Sequence, residues 1–286
     1  MTDAREKTVK LYRYWVKCQR EITARADRRP ATVYGHSDVS PEDARRRGEA
    51  LLDAVARLAA GNGTPWDYDT PERPIREELL RAFSPEDVIT RNWYGAEVLN
   101  SSRLVFVDID RRRPGFWRLL FRLFILQLFV PKAADDGVED LSVVAKRAAA
   151  GGIYFPIRVY RTRAGWRLII TGSGVSGRDS ARLMEVFRAD PRYAALCRVQ
   201  DCFRARLTPK PYRIRMGGRL RFEHPETDPE TLARQREWLE AYARRSEKYA
   251  VCRYLGTLNG SAGPAADPVI RFHDERTKAF SALPLA

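Results

Sequence analysis

The stretch Leu104-Val-Phe-Val-Asp-Ile-Asp110 constrains the fold more than any other in the chain. An apolar run of four leads straight into two acids spaced i, i+2. On a β-strand such positions point to the same face, so Asp108 and Asp110 should project together from the end of a buried strand. Two carboxylates that close repel unless a cation lies beside them. A divalent ion such as Mg2+ or Mn2+, which prefers carboxylate oxygens, is one solution. Arginine is another, and Arg111, Arg112 and Arg113 follow at once. A solvated acidic turn at the strand end is the plain alternative.

Charge points to the class of partner. Lys and Arg number 51 against 37 Asp and Glu, a formal excess of +14. Such an excess suits nucleic acid, nucleotide phosphates or an anionic membrane surface. Arginine-rich composition also arises without function. Cys18, Cys197, Cys202 and Cys252 form no C-x-x-C pair and the three histidines are scattered, which argues against a zinc site. Reduced thiols in a cytoplasmic protein are expected, and the first residues lack an apolar secretory core.

Gly115–Val130 is intensely apolar but carries Arg118 and Arg122 and is short for a membrane crossing, so no transmembrane segment is expected. A helix over 116–129, ended by Pro131, could instead dock a protein partner or lie on a membrane.

The remaining pattern predicts an α+β chain. Helices are expected at 5–25, 40–60, 75–83, 138–150, 179–187, 191–199 and 230–249. Strands are expected at 31–34 and 103–109, with a hairpin of 154–162 and 166–171 around Arg163-Ala-Gly165. Residues 203–220 read as irregular or strand-like, and 251–286 as a strand with an extended end. No linker divides the chain cleanly; residues 1–100 form a helical α/β section ahead of a core at 101–286. The mixed cluster Arg271-Phe-His-Asp-Glu-Arg276 is expected at a surface turn.

Two further segments carry chemistry. The hairpin Tyr160-Arg-Thr-Arg-Ala-Gly-Trp-Arg-Leu168 offers Thr162, Arg163 and Arg167 around Gly165, where the backbone can approach a phosphate closely. Arg161, Arg163 and Arg167 would share one face if the strands were continuous. From Arg198 to Arg221 there are eight bases, Arg204, Arg206, Lys210 and Arg213 among them, against one acid, Asp201. Phe203 and Tyr212 are interleaved, a pairing of phosphate contacts with stacking surfaces.

The order of these motifs, an apolar strand ending Asp-x-Asp, a Thr-x-x-Gly-x-basic hairpin and then Asp before an Arg-rich stretch, resembles the archaeo-eukaryotic primase superfamily over about residues 92–222. The resemblance implies an RRM-like antiparallel sheet packed with helices and a nucleotidyltransferase acting on nucleic acid. It implies Asp108, Asp110 and Asp201 as catalytic metal ligands for Mg2+ or Mn2+. Thr162, Arg163, Gly165, Arg167, Arg204, Arg206, Lys210 and Arg213 would hold nucleotide or nucleic acid. Arg167 stands where that family carries a histidine, and arginine cannot titrate near neutral pH. A non-catalytic nucleic-acid-binding protein on the same fold and an adaptor docking through helix 116–129 are the competing expectations.

Overall fold

In a computed structural model, residues 8–24, 27–60, 73–110, 137–217, 220–261, 263 and 265–286 are described. The expected apolar helix 116–129 and the Arg111–Arg113 run lie outside them. Residues 14–24 form a strand and not the expected helix. This strand, β1 (Tyr14–Ala24), pairs antiparallel with β2 (Asp27–Ser37) in register Cys18↔Val33. Even-numbered Val16, Cys18 and Ile22 face α1 (Pro41–Ala60), which covers one side of the hairpin. Ser40 caps α1 by accepting from the Asp43 N–H at 3.1 Å.

Helix and hairpin touch backbone to backbone at Gly35 and Gly48. A Cβ on Gly35 would lie 1.8 Å from the Ala44 carbonyl oxygen and 2.5 Å from the Gly48 nitrogen. Gly35→Ala must therefore push α1 off the hairpin, and thermal unfolding should show a loss of about 2 kcal/mol or more, within the range for overpacking. An unchanged Tm would mean that the two elements have slack.

The second sheet has the order β3-β4-β5-β9 and is antiparallel throughout. Its strands are β3 (Glu78–Ser84), β4 (Asp87–Arg91), β5 (Glu97–Ser101) and β9 (Phe203–Arg206). A helix was expected over 75–83. Residues 78–84 pair along β4 instead, because ladder pairing overrides the helix propensity of Glu-Leu-Leu-Arg-Ala. The pairing of β5 with β9 joins the two sides of the expected 100/101 boundary.

The third sheet has the order β10-β7-β8-β6, with β6 (Val105–Asp110), β7 (Ile157–Thr162), β8 (Gly165–Ile170) and β10 (Cys252–Leu258). Parallel β6 and β7 flank antiparallel β8, a split βαβ unit whose crossover includes α2 (Gly137–Ala150). One face holds Val105, Val107, Ile109 and Leu168 and packs toward α2 and α3 (Ala181–Phe187). The other face carries Phe106, Asp108, Tyr160, Arg158 and Arg167. It is partly covered by α6 (Pro268–Thr277), a helix absent from the sequence expectation. α4 (Pro191–Gln200) precedes β9, and a 3-10 turn (Pro211–Ile214) follows it. α5 (Pro229–Ser246) lies between that turn and β10. Among the described residues no helix is long and apolar enough to cross a membrane.

His273 and Asp274 lie in α6, 0 % and 4 % exposed, and not at a surface turn. Asp274 accepts from Arg158 at 2.8 Å and from the Tyr160 hydroxyl at 2.6 Å, and its Oδ1 lies 3.0 Å from His273 Nδ1. Burial holds the His273 pKa below its ordinary value, so the ring is neutral at pH 7.

Candidate nucleotide-phosphate site

A cavity of about 260 Å3 opens where β6 ends, between the β7–β8 turn, the start of α4 and the 3-10 turn. Asp108 and Asp110 both line it, as their spacing predicts. Opposite Asp110 in the ladder is Gly165. The Gly165 N–H donates to Thr162 Oγ1 at 3.1 Å, which ties the turn at the cavity rim.

Asp108 is committed to a partner on the neighbouring strand. Arg167 sits directly across from it and donates Nε–H to Oδ1 at 2.8 Å and Nη2–H to Oδ2 at 3.2 Å. The guanidinium is 1 % exposed, while Asp108 keeps a third of its side-chain surface open. A third donor of Arg167, Nη1, reaches the Arg206 carbonyl at 2.8 Å and joins this sheet to β9. Burial pushes the Asp108 carboxyl up, but Arg167, helped by Arg206, outweighs burial and holds it below the usual carboxylate value. Arg167 moves the other way: burial opposes its charge, and Asp108 more than restores it. Asp108 thus has its counter-ion on the neighbouring strand.

Three cations at the wall differ from Arg167. Arg206, Lys210 and Arg213 line the cavity, and among the described residues none has a carboxylate within 4 Å in an ion pair. The buried Arg206 Nε has no hydrogen-bond partner there. With Asp108 and Arg167 cancelling, three free cations face the two carboxylates of Asp110 and Asp190. Trp166 and Tyr193 supply aromatic surface.

Asp190 and Tyr193 were missed in the sequence. Asp190 caps α4 by accepting from the Tyr193 N–H at 2.8 Å, and its own N–H donates to the Asp108 carbonyl at 3.0 Å. The Asp190-Pro191 pair announces a helix start, and nothing local shows that this start abuts β6. The Tyr193 hydroxyl donates to the Phe106 carbonyl at 2.9 Å, and burial first, then Cys197 and Asp108, raise its pKa well above the ordinary value. Burial likewise pushes the nearby Cys252 thiol up to about 11, so no thiolate nucleophile stands there at neutral pH. All four cysteines are free and buried.

Other expected site residues go elsewhere. Asp201 does not line the cavity; in a left-handed conformation at the end of α4, it accepts from the Arg178 N–H at 3.0 Å and lies 3.4 Å from the Arg178 guanidinium. Arg204 is held by Glu77, 2.6 Å from each carboxylate oxygen. Arg163 is exposed at the turn and off the cavity lining. Arg161 lies on the opposite face from Arg167 and pairs with Asp140 at 2.7 Å, because the turn breaks the alternation.

Among the described residues the three expected metal ligands are not brought together. Asp108 is bound on both oxygens and Asp201 is elsewhere. Among the described residues no three His, Cys, Asp or Glu side chains are grouped to hold an ion. Comparison with protein-family models, curated proteins and solved structures finds no match to this chain.

Proposed function

We propose that the protein binds the phosphates of nucleotides or nucleic acid in this cavity, without chemistry of its own. One observation carries the reading: Arg206, Lys210 and Arg213 converge on a concavity with no ion-pair partner among the described residues, while the adjacent Arg167 and Arg204 are fully matched. The three side chains are half-buried and only the Arg206 Nε is fully enclosed; a phosphate would complete this set through charge-assisted hydrogen bonds. Trp166 and Tyr193 suit a sugar or base beside it.

The test is calorimetric titration of a nucleoside triphosphate and of a short single strand into the wild type and Lys210→Ala/Arg213→Ala. Each lost charged hydrogen bond is worth about 1.5–3 kcal/mol, so affinity should fall at least a hundredfold while Tm stays near wild type. No binding by the wild type, or equal binding by the variant, removes the reading.

A primase-like nucleotidyltransferase using Mg2+ or Mn2+ is the second reading. It is favoured by the presence of Asp110 and Asp190 at the same cavity, and it requires Arg167 to give up Asp108. Template-dependent nucleotide incorporation in Mn2+ that disappears in Asp110→Asn would establish it; absence of incorporation would leave the binding reading.

A further inference from the structure

The basic surface continues past the cavity. The 3-10 turn and its flanking residues give Lys210 and Arg213 to the cavity wall and Ile214 and Arg215 to a second, shallower groove of about 480 Å3. Arg244, Arg245 and Lys248, from the end of α5 and just beyond it, line that groove over Met216 and Tyr249, and among the described residues no acid lines it. Arg245 is fixed there by donating to the Arg215 carbonyl at 2.8 Å. Arg244 has only a loose contact to Glu240, 3.9 Å apart with both side chains 72 % exposed.

Tyr212 lies on the same 3-10 turn, next in sequence to the residues that line cavity and groove, and lines neither itself. Its ring is 69 % exposed, with Lys210 Nζ and the Arg213 guanidinium each 6.0 Å from its centroid. Cations at the end of α5 would also complement the helix dipole. That accounts for Arg244 and Arg245 but not for Arg215, Lys248 or the presented ring.

We infer that cavity, Tyr212 and groove form one track for single-stranded nucleic acid. Phosphates occupy the cavity, a base stacks on Tyr212, and the following phosphates run along Arg215, Arg244 and Lys248. The occupant is a single strand because a base in a duplex hides the face that an exposed tyrosine would stack on. This inference rests on the phosphate reading of the cavity.

Fluorescence anisotropy with labelled oligothymidylates of about 3 and about 12 nucleotides, lengths below and within usual site sizes, tests it. The wild type should bind the longer strand at least tenfold more tightly. Arg244→Glu/Lys248→Glu should weaken the longer strand tenfold or more and leave the shorter unchanged. Its salt slope should fall by about 1.4, since each phosphate contact on a single strand contributes about 0.7. Tyr212→Ala should weaken the longer strand about tenfold with the slope preserved, the signature of lost stacking.

Equal binding of the two lengths, or an unaffected charge-reversal variant, overturns the track and leaves the cavity reading standing. A duplex that binds as tightly as the long strand, or anionic vesicles that displace it, overturns the single-strand assignment. Failure of the wild type to bind the short strand or a triphosphate overturns the cavity reading as well.

Discussion

Asp108→Ala should lower the unfolding free energy by about 3 kcal/mol, because it leaves the Arg167 guanidinium buried without its counter-ion. The figure is set at the low end for a broken buried pair, since Asp108 itself keeps a third of its side-chain surface exposed. At about 2–4 °C per kcal/mol for a chain of this size, Tm should fall roughly 6–12 °C. Asp108→Leu/Arg167→Met should recover most of that loss, since an apolar pair removes both charges together. Chemical unfolding of the three proteins decides it; a single mutant as stable as the wild type would mean that the pair does not hold the cavity floor. The acid side adds a second readout. The Asp108 pKa is depressed in the fold, so its stabilisation is complete above the unfolded value of about 3.9 and is lost as pH falls through the lower folded value. Asp108→Asn should flatten stability across that window. Loss of any activity in an Asp108 variant therefore reports on folding first, and Asp110, exposed at the strand end, is the acid whose replacement reports on the site.

Asp274→Ala should cost about 3–5 kcal/mol, because Arg158, 7 % exposed, then loses its carboxylate inside the protein. Tyr160 and His273 lose their acceptor in the same change. Tyr160 neighbours Arg167 in the ladder, so the network also supports the cavity floor from behind. Asp274→Asn keeps the volume and one acceptor and should cost less. Urea unfolding measures both, and an Asp274→Ala protein within about 0.5 kcal/mol of wild type would show that the network is incidental to stability.

The Asp-x-Asp strand, the hairpin around Gly165, α1, α2 and the helices on either side of Arg188 were legible because each carries its own local signal of alternation, capping or turn chemistry. β1 was misread as helix because Leu11, Trp15 and Cys18 mimic helical spacing. Its true period of two is masked by Arg20, which sits in the inward row and pairs with Asp53 of α1 at 2.7 Å. α6 had a readable start in Asp267-Pro268, whose carboxylate accepts from Val269 and Ile270, but its charged sequence looked like surface. The cavity was half legible. Which acids reach it depends on how β6, α4 and β9 meet, and that is settled by long-range pairing. Asp190 entered and Asp201 left for that reason, and the counter-ion of Asp108 was legible only once the register of β6 on β8 was known.

The seam between β5 and β9 bears on the order of folding. Ser101 pairs with Phe203 about a hundred residues further along, whereas β3, β4 and β5 form a meander of near neighbours. The meander can assemble early, but β9 can join only after a long loop has closed, and non-local closures of this kind are slow. Arg206, whose carbonyl anchors Arg167 and whose side chain lines the cavity, arrives with β9. During refolding, ligand-binding competence should therefore appear with the last kinetic phase rather than with the first burst of secondary structure.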